Sequence, residues 1–172
     1  MKNLVPDMYK KSIYDIDYKK LKSEGIKCIL FDLDNTCVAY KENSGSSELK
    51  KLFNKLTKMK FKVVIFSNSP ERRLKRFNDL GVDYNSSSKK PLSHNFYKIL
   101  KKYDLKKNEV CIIGDQLFTD IYGGNKVGIK TCLVEPLTDI DFFLTKFTRK
   151  LETREFKKME KKKLLKKGNY YD

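Results

Sequence analysis

The chain has 172 residues, 40% of them apolar and none of them tryptophan, and its mean hydropathy is −0.61. That length suits one domain with a sizeable core, while no stretch approaches the roughly 20 apolar residues that span a bilayer and the opening MKNLVPDMYKKS has no apolar signal-peptide region, so an integral membrane or secreted protein is not expected. Lys+Arg total 38 against 22 Asp+Glu, for a formal charge of +16, and such a surface draws polyanions: nucleic acid, anionic lipid or phosphorylated substrates.

The N-terminal segment carries Leu4, Val5, Met8, Ile13, Tyr14 and Ile16 at irregular spacing, which suits a cover for a sheet edge or a contact segment. Ile26–Phe31 follows Gly25 and reads as a buried strand. Residues 46–59 place Leu49, Leu52, Phe53 and Leu56 at the spacing of an amphipathic helix. Residues 61–66 form a second apolar run. Residues 70–80 read as a helix, with Ser69 as its cap, Pro70 at its first position and Gly81 beyond its end. A short strand over 82–84 follows, then a helix over 93–103 opened by Ser93 as cap. Residues 110–113 are a strand ending in Gly114, 119–126 a short helix stopped near Gly128, and 129–134 the last strand.

Strands of four to six residues alternating with helices predict an α/β fold: a Rossmann-like three-layer sandwich around a parallel five-stranded sheet. Residues 1–25 are then a flanking segment, 26–136 the core and 137–172 a basic helical tail. Ile140, Phe143, Leu144, Phe147 and Leu151 share one helical face of that tail, which is expected to pack at its start and project a lysine-rich end, with Tyr170 and Tyr171 fraying. Lys146 to Asp172 holds eleven basic and four acidic residues. Cys28, Cys37, Cys111 and Cys132 form no C-x-x-C pair, and a single histidine, His94, completes no Cys/His zinc site. Reduced, buried thiols are expected. Gly123 and Gly124 lack the spacing of a dinucleotide loop and suit close packing.

Ligands in such sheets bind beyond the carboxyl ends of the strands, and the reactive residues fall there. Asp32 and Asp34 follow the first strand in FDLDNT, Ser67 and Asn68 the second in FSNS. Lys90 precedes Pro91 ahead of a helix, and Asp115 follows the fourth strand in GDQLFTD, with Asp120 five residues on. Carboxylates so crowded repel one another. A hard divalent cation relieves this, and an oxygen donor set suits Mg²⁺. Such an ion aligns a phosphoryl group for attack by a carboxylate, a second acid serves the leaving oxygen and the water, and a hydroxyl and a lysine balance the phosphoryl charge.

These segments resemble motifs I to IV of the haloacid dehalogenase (HAD) superfamily phosphatases: FDLDNT the first, FSNS the second, the Lys90–Pro91 step the third and GDQLFTD the fourth. The resemblance implies Asp32 as nucleophile and Asp34 as general acid/base. It implies Mg²⁺ held by Asp32, the Asp34 backbone carbonyl and Asp115, phosphate bound by Ser67, Asn68 and Lys90, and Asp120 orienting Lys90 or the metal's waters. Cys37 stands where the motif usually has Leu or Ile. Only residues 33–66 separate Asp32 from Ser67, and only residues 68–89 separate Ser67 from Lys90. The elements consume both, leaving no room for a large cap domain. An uncapped site excludes water poorly on its own and favours a macromolecule or lipid surface as substrate.

The flanks extend the resemblance. The run from Leu4 to Thr36, the segment from Gly114 to Asn125 and the basic tail are similar to the YqeG-type subclass IIIA HAD phosphatases, a group that includes phosphatidylglycerophosphate phosphatases. By that resemblance the chain is a Mg²⁺-dependent phosphomonoesterase of phospholipid biosynthesis that makes phosphatidylglycerol. The implied partner is an anionic phospholipid or membrane surface, met peripherally from the cytoplasmic side. No specific nucleic acid is expected, since no aromatic-studded basic strand is present. The alternatives are a capless HAD phosphatase acting on nucleic-acid ends or phosphoproteins and, in another class, a non-enzymatic phospho-accepting signalling module.

Overall fold

The structure, a computed structural model, describes the backbone of residues 2–138 and 143–172 and the side chains of 3–138 and 149–172. Ile140 lies outside the described residues, as do the side chains of Phe143, Leu144 and Phe147, so the expected apolar face of the tail is described only at Leu151.

Apolar, β-branched runs flanked by helices build one parallel sheet. Its strands are β1 (Met8–Lys10), β2 (Cys28–Phe31), β3 (Lys62–Phe66), β4 (Asp83–Asn85), β5 (Val110–Gly114) and β6 (Lys130–Val134). Their order is β1-β6-β5-β2-β3-β4, and every neighbouring pair is parallel. The expected sheet of five strands is therefore one of six. The sixth comes from the N-terminal segment, where Met8, Tyr9 and Lys10 pair with Cys132, Leu133 and Val134. Three residues carry too little alternation to be read as a strand; the exposed edge of β6 is what makes them one.

The helices are α1 (Tyr18–Ser23), α2 (Ser47–Lys58), α3 (Glu71–Leu74), α4 (Ser93–Lys102), α5 (Tyr122–Val127) and α6 (Phe143–Lys161). α2 is capped by Ser46, whose Oγ accepts from Leu49 N at 3.1 Å. The two expected caps fail. Pro70 occupies the N-cap position of α3 and Leu92 that of α4, neither with a side-chain cap. Ser69 instead sends its hydroxyl to Asp34. The element over 71–80 is one α-turn followed by a 3-10 stretch, Lys75–Leu80, closed by Gly81 at φ 68°.

Side chains alternate across the strands, so the sheet has a core on each face. Ile29, Phe31, Val63, Ile65, Cys111 and Ile113 meet α2 and the 3-10 stretch on one side. Leu30, Val64, Phe66, Val110 and Ile112 meet α4 and α5 on the other. α5 packs close through glycine: a Cβ on Gly124 would lie 2.6 Å from Thr131 Cγ2 and 2.7 Å from Ile112 Cγ2. All four cysteines are buried and free, and His94 is exposed.

The tail departs from its expectation. Leu151 is exposed, whereas Met159 and Leu165 are buried in a third cluster with Leu4, Tyr9, Leu117, Ile121 and Leu133. Tyr171 does not fray: Tyr9 and Tyr171 exchange two backbone hydrogen bonds of 2.9 Å, and Tyr171 is half-buried. Lysine dominates the sequence here, and among the apolar residues described Met159 and Leu165 turn inward while Leu151, Leu164 and Tyr170 stay exposed.

Candidate active site

Parallel register brings the reactive residues to one edge. Phe31 pairs with Ile65 and with Ile113, so the residues just past β2, β3 and β5 are neighbours. Asp32 extends the ladder, its N–H donating to Ile113 O at 2.9 Å. The loop after β4 delivers Lys90. Its position is fixed by Asn68, whose Oδ1 accepts from Lys90 N at 2.7 Å and whose Nδ2 donates to Lys90 O at 3.1 Å. Asn68, expected to touch phosphate, thus has its side-chain amide committed to the backbone of that loop. Ser67 is buried, and its Oγ accepts from Ser69 N at 3.2 Å.

Lys90 Nζ lies 2.8 Å from Asp32 Oδ1 and 2.6 Å from Asp120 Oδ1, all three side chains being buried. Asp115 Oδ1 accepts from Thr36 Oγ1 at 2.8 Å, and its Oδ2 pairs with Arg149 of α6. Arg149 also donates to Asp115 O at 2.8 Å and to Glu152 Oε2 at 3.2 Å, while Glu152 Oε1 accepts from Phe118 N at 3.2 Å. Asp34 has partners of its own. Ser69 Oγ donates to its Oδ2 at 2.5 Å, and Arg73 approaches its Oδ1 at 2.7 Å through Nη2 and 3.1 Å through Nε.

Burial pushes the Asp32 carboxyl up to about 8 despite the pull of Lys90, with the Asp120 and Asp115 charges adding to the rise. Burial likewise takes Asp115 to about 6 against the pull of Arg149, and Glu152 to about 7. For Lys90, burial works against the charge, but the Asp120 and Asp32 carboxylates outweigh it and hold the ammonium above the usual lysine range. Space at this edge is tight. A Cβ on Gly114 would sit 2.2 Å from Asp120 Cγ, so the last residue of β5 has to be glycine for Asp120 to reach Lys90.

Residues 1–138 match the family described as mitochondrial PGP phosphatase. The chain belongs to that family. It is 37% identical over 162 residues to "Probable phosphatase YqeG" of Bacillus subtilis (strain 168), covering 94% of both chains. It is 26% identical to the chloroplastic/mitochondrial phosphatidylglycerophosphate phosphatase 1 of Arabidopsis thaliana, covering 94% of this chain and 49% of that one. In fold it is similar to the D,D-heptose 1.7-bisphosphate phosphatase of B. bronchiseptica, whose structure holds magnesium and phosphate: the TM-score is 0.51 at 19% identity, over 63% of this chain and 80% of that one. The protein is a phosphatase, a phosphoric monoester hydrolase, with a HAD-like fold.

The phosphatase carries a donor set that fits a divalent cation. Asp32, Asp115 and Asp120 each offer a carboxylate oxygen, and these atoms lie within 4.8 Å of one another. Hard oxygen donors of net negative charge suit such an ion. Asp120, expected behind the metal ligands, belongs to the same buried triad as well as to Lys90. Four groups escaped the sequence reading: Thr36, Arg73, Arg149 and Glu152. Thr36 and Arg73 had a signal, Thr36 closing FDLDNT itself and Arg73 standing shortly after FSNS. Arg149 and Glu152 had none, because only the return of α6 brings them to the site.

Proposed function

We propose that this phosphatase removes the terminal phosphate of phosphatidylglycerophosphate to give phosphatidylglycerol, using Mg²⁺ and an Asp32-phosphate intermediate. The observation that carries it is the Asp32–Lys90–Asp120 cluster beside Asp115 at an uncapped sheet edge, in a chain of this family. Mg²⁺ held by Asp32 and Asp115, with the Asp34 carbonyl, would neutralise phosphoryl charge when bound.

An Asp32 carboxylate oxygen attacks phosphorus and forms the P–O bond as the bond to the lipid's glycerol oxygen breaks. The electron pair stays on that oxygen, and Asp34 supplies its proton. Asp34 then takes a proton from water, whose oxygen attacks phosphorus and releases inorganic phosphate, restoring Asp32. Ser69 and Arg73 hold the Asp34 carboxyl in place. Lys90 and the Ser67 hydroxyl meet the phosphoryl oxygens.

Among the described residues no helix is long and apolar enough to cross a membrane. The +16 charge suits peripheral contact with the anionic cytoplasmic leaflet, where each basic residue near the surface contributes about 1 kcal/mol. The test is phosphate release from phosphatidylglycerophosphate in mixed micelles, with Mg²⁺ and with EDTA. Release that needs Mg²⁺ and disappears in Asp32→Asn supports the reading. Faster release from oligonucleotide phosphates or a phosphoprotein than from the lipid overturns the substrate.

A further inference from the structure

A cleft of about 480 Å³ opens beside Asp115, between the end of β6 and the outer part of α6. Its walls are mainly apolar, from Leu133, Pro136 and Phe156, and Lys150 and Lys167 line it as well. Both lysines are exposed and Phe156 is half-buried. The three acidic groups of the cleft are engaged by the protein: Asp115 by Thr36 and Arg149, Glu135 by the Tyr9 hydroxyl, and Glu152 by Phe118 N and Arg149. Lys150 and Lys167 thus present two exposed ammonium groups over an apolar floor, and Asp115 of the reacting cluster lines the same cleft.

We propose that this cleft is the subsite for the alcohol part of the substrate, a glycerophospholipid. This rests on the lipid reading above. With the phosphomonoester at Asp32, the lipid's second phosphate, the diester, meets Lys150 and Lys167. The glycerol and first acyl carbons lie on Phe156, Leu133 and Pro136. The volume is that of a small-molecule pocket. It takes a headgroup and the start of the chains and leaves the rest in the bilayer. Charge complementarity and continuity with the phosphoryl site both favour this occupant over a phosphopeptide, which has no need of an apolar floor next to a second anion site. It also explains how an uncapped enzyme selects a substrate: α6 supplies one wall that discriminates by leaving group.

The experiment compares kcat/KM for dioctanoyl phosphatidylglycerophosphate with kcat/KM for p-nitrophenyl phosphate, which has no second anion and no acyl chain. Lys150→Glu/Lys167→Glu and, separately, Phe156→Ser should each lower the ratio of lipid to small substrate at least tenfold, chiefly through KM. The double variant alters exposed lysines and so tests the site without relying on the packing of Phe156. Lys51→Glu/Lys55→Glu, on α2, changes net charge equally away from the cleft and should leave the ratio within about threefold of wild type. An equal fall there would mean general surface attraction and overturn the assignment. So would lipid hydrolysis with an unchanged ratio in the cleft variants. A wild-type protein that hydrolyses p-nitrophenyl phosphate and leaves the lipid intact overturns the lipid reading as well.

Discussion

Lys90 joins Asp32 to Asp120: one ammonium, brought by the loop after β4, lies 2.8 Å from the first carboxylate and 2.6 Å from the second. All three groups are buried. The pairing makes a crowded acidic edge compatible with folding, and it commits one oxygen of each carboxylate to a fixed direction. Removing the lysine strands two buried charges. Lys90→Ala should cost about 3–5 kcal/mol in chemical denaturation and abolish phosphatase activity. Unchanged stability would show that the two carboxylates do not need the ammonium.

Asp32→Asn keeps the size and a hydrogen-bonding oxygen near Lys90, so the fold should survive. Without a carboxylate nucleophile kcat should fall at least about a thousandfold. Steady-state phosphate release, with circular dichroism as the check on folding, decides this.

Burial raises Asp32 to about 8 and Asp115 to about 6 from an ordinary value of 3.8. Across about pH 5 to 8 the folded protein therefore holds protons that the unfolded chain has released, and raising the pH favours unfolding. Glu152, at about 7, acts in the same direction. In EDTA the melting temperature should fall over this window. Mg²⁺ binds the ionised carboxylates, so its stabilising effect should be larger at pH 8 than at pH 5.5. A melting temperature that rises with pH in EDTA would contradict the burial argument.

Arg73→Ala should leave Asp34 without its guanidinium contacts at 2.7 and 3.1 Å. On the proton-transfer role proposed for Asp34, the loss should appear in kcat more than in KM, by about tenfold to a hundredfold, with an altered pH–rate profile. A loss confined to KM would place Arg73 on the substrate instead.

Gly114→Ala inserts a methyl group where Asp120 Cγ would be 2.2 Å away. The contact is with a buried carboxylate held by Lys90, so relief requires moving Asp120. Stability should drop by about 1–3 kcal/mol, and activity should fall with it. An active Gly114→Ala variant would show that Asp120 can leave Lys90 without cost to the reaction.

The apolar runs by themselves determined β2, β3, β5 and β6, because fully buried parallel strands must be continuously apolar between helices. They also determined where Asp32, Asp34, Ser67 and Asp115 fall, since a residue just past a parallel strand reaches the same edge, whereas Lys90 is carried there by the loop after β4 and held by Asn68. Tertiary structure decided what local pattern does not encode. The open edge of β6 turned Met8–Lys10 into a strand, and Ser69 gave up a cap for Asp34. The return of a lysine-rich helix put Arg149 on Asp115 and buried Met159 and Leu165. The physical reason is range: periodicity and spacing report a residue's own neighbours along the chain, whereas an ion pair across 34 positions exists only once the intervening chain has folded back.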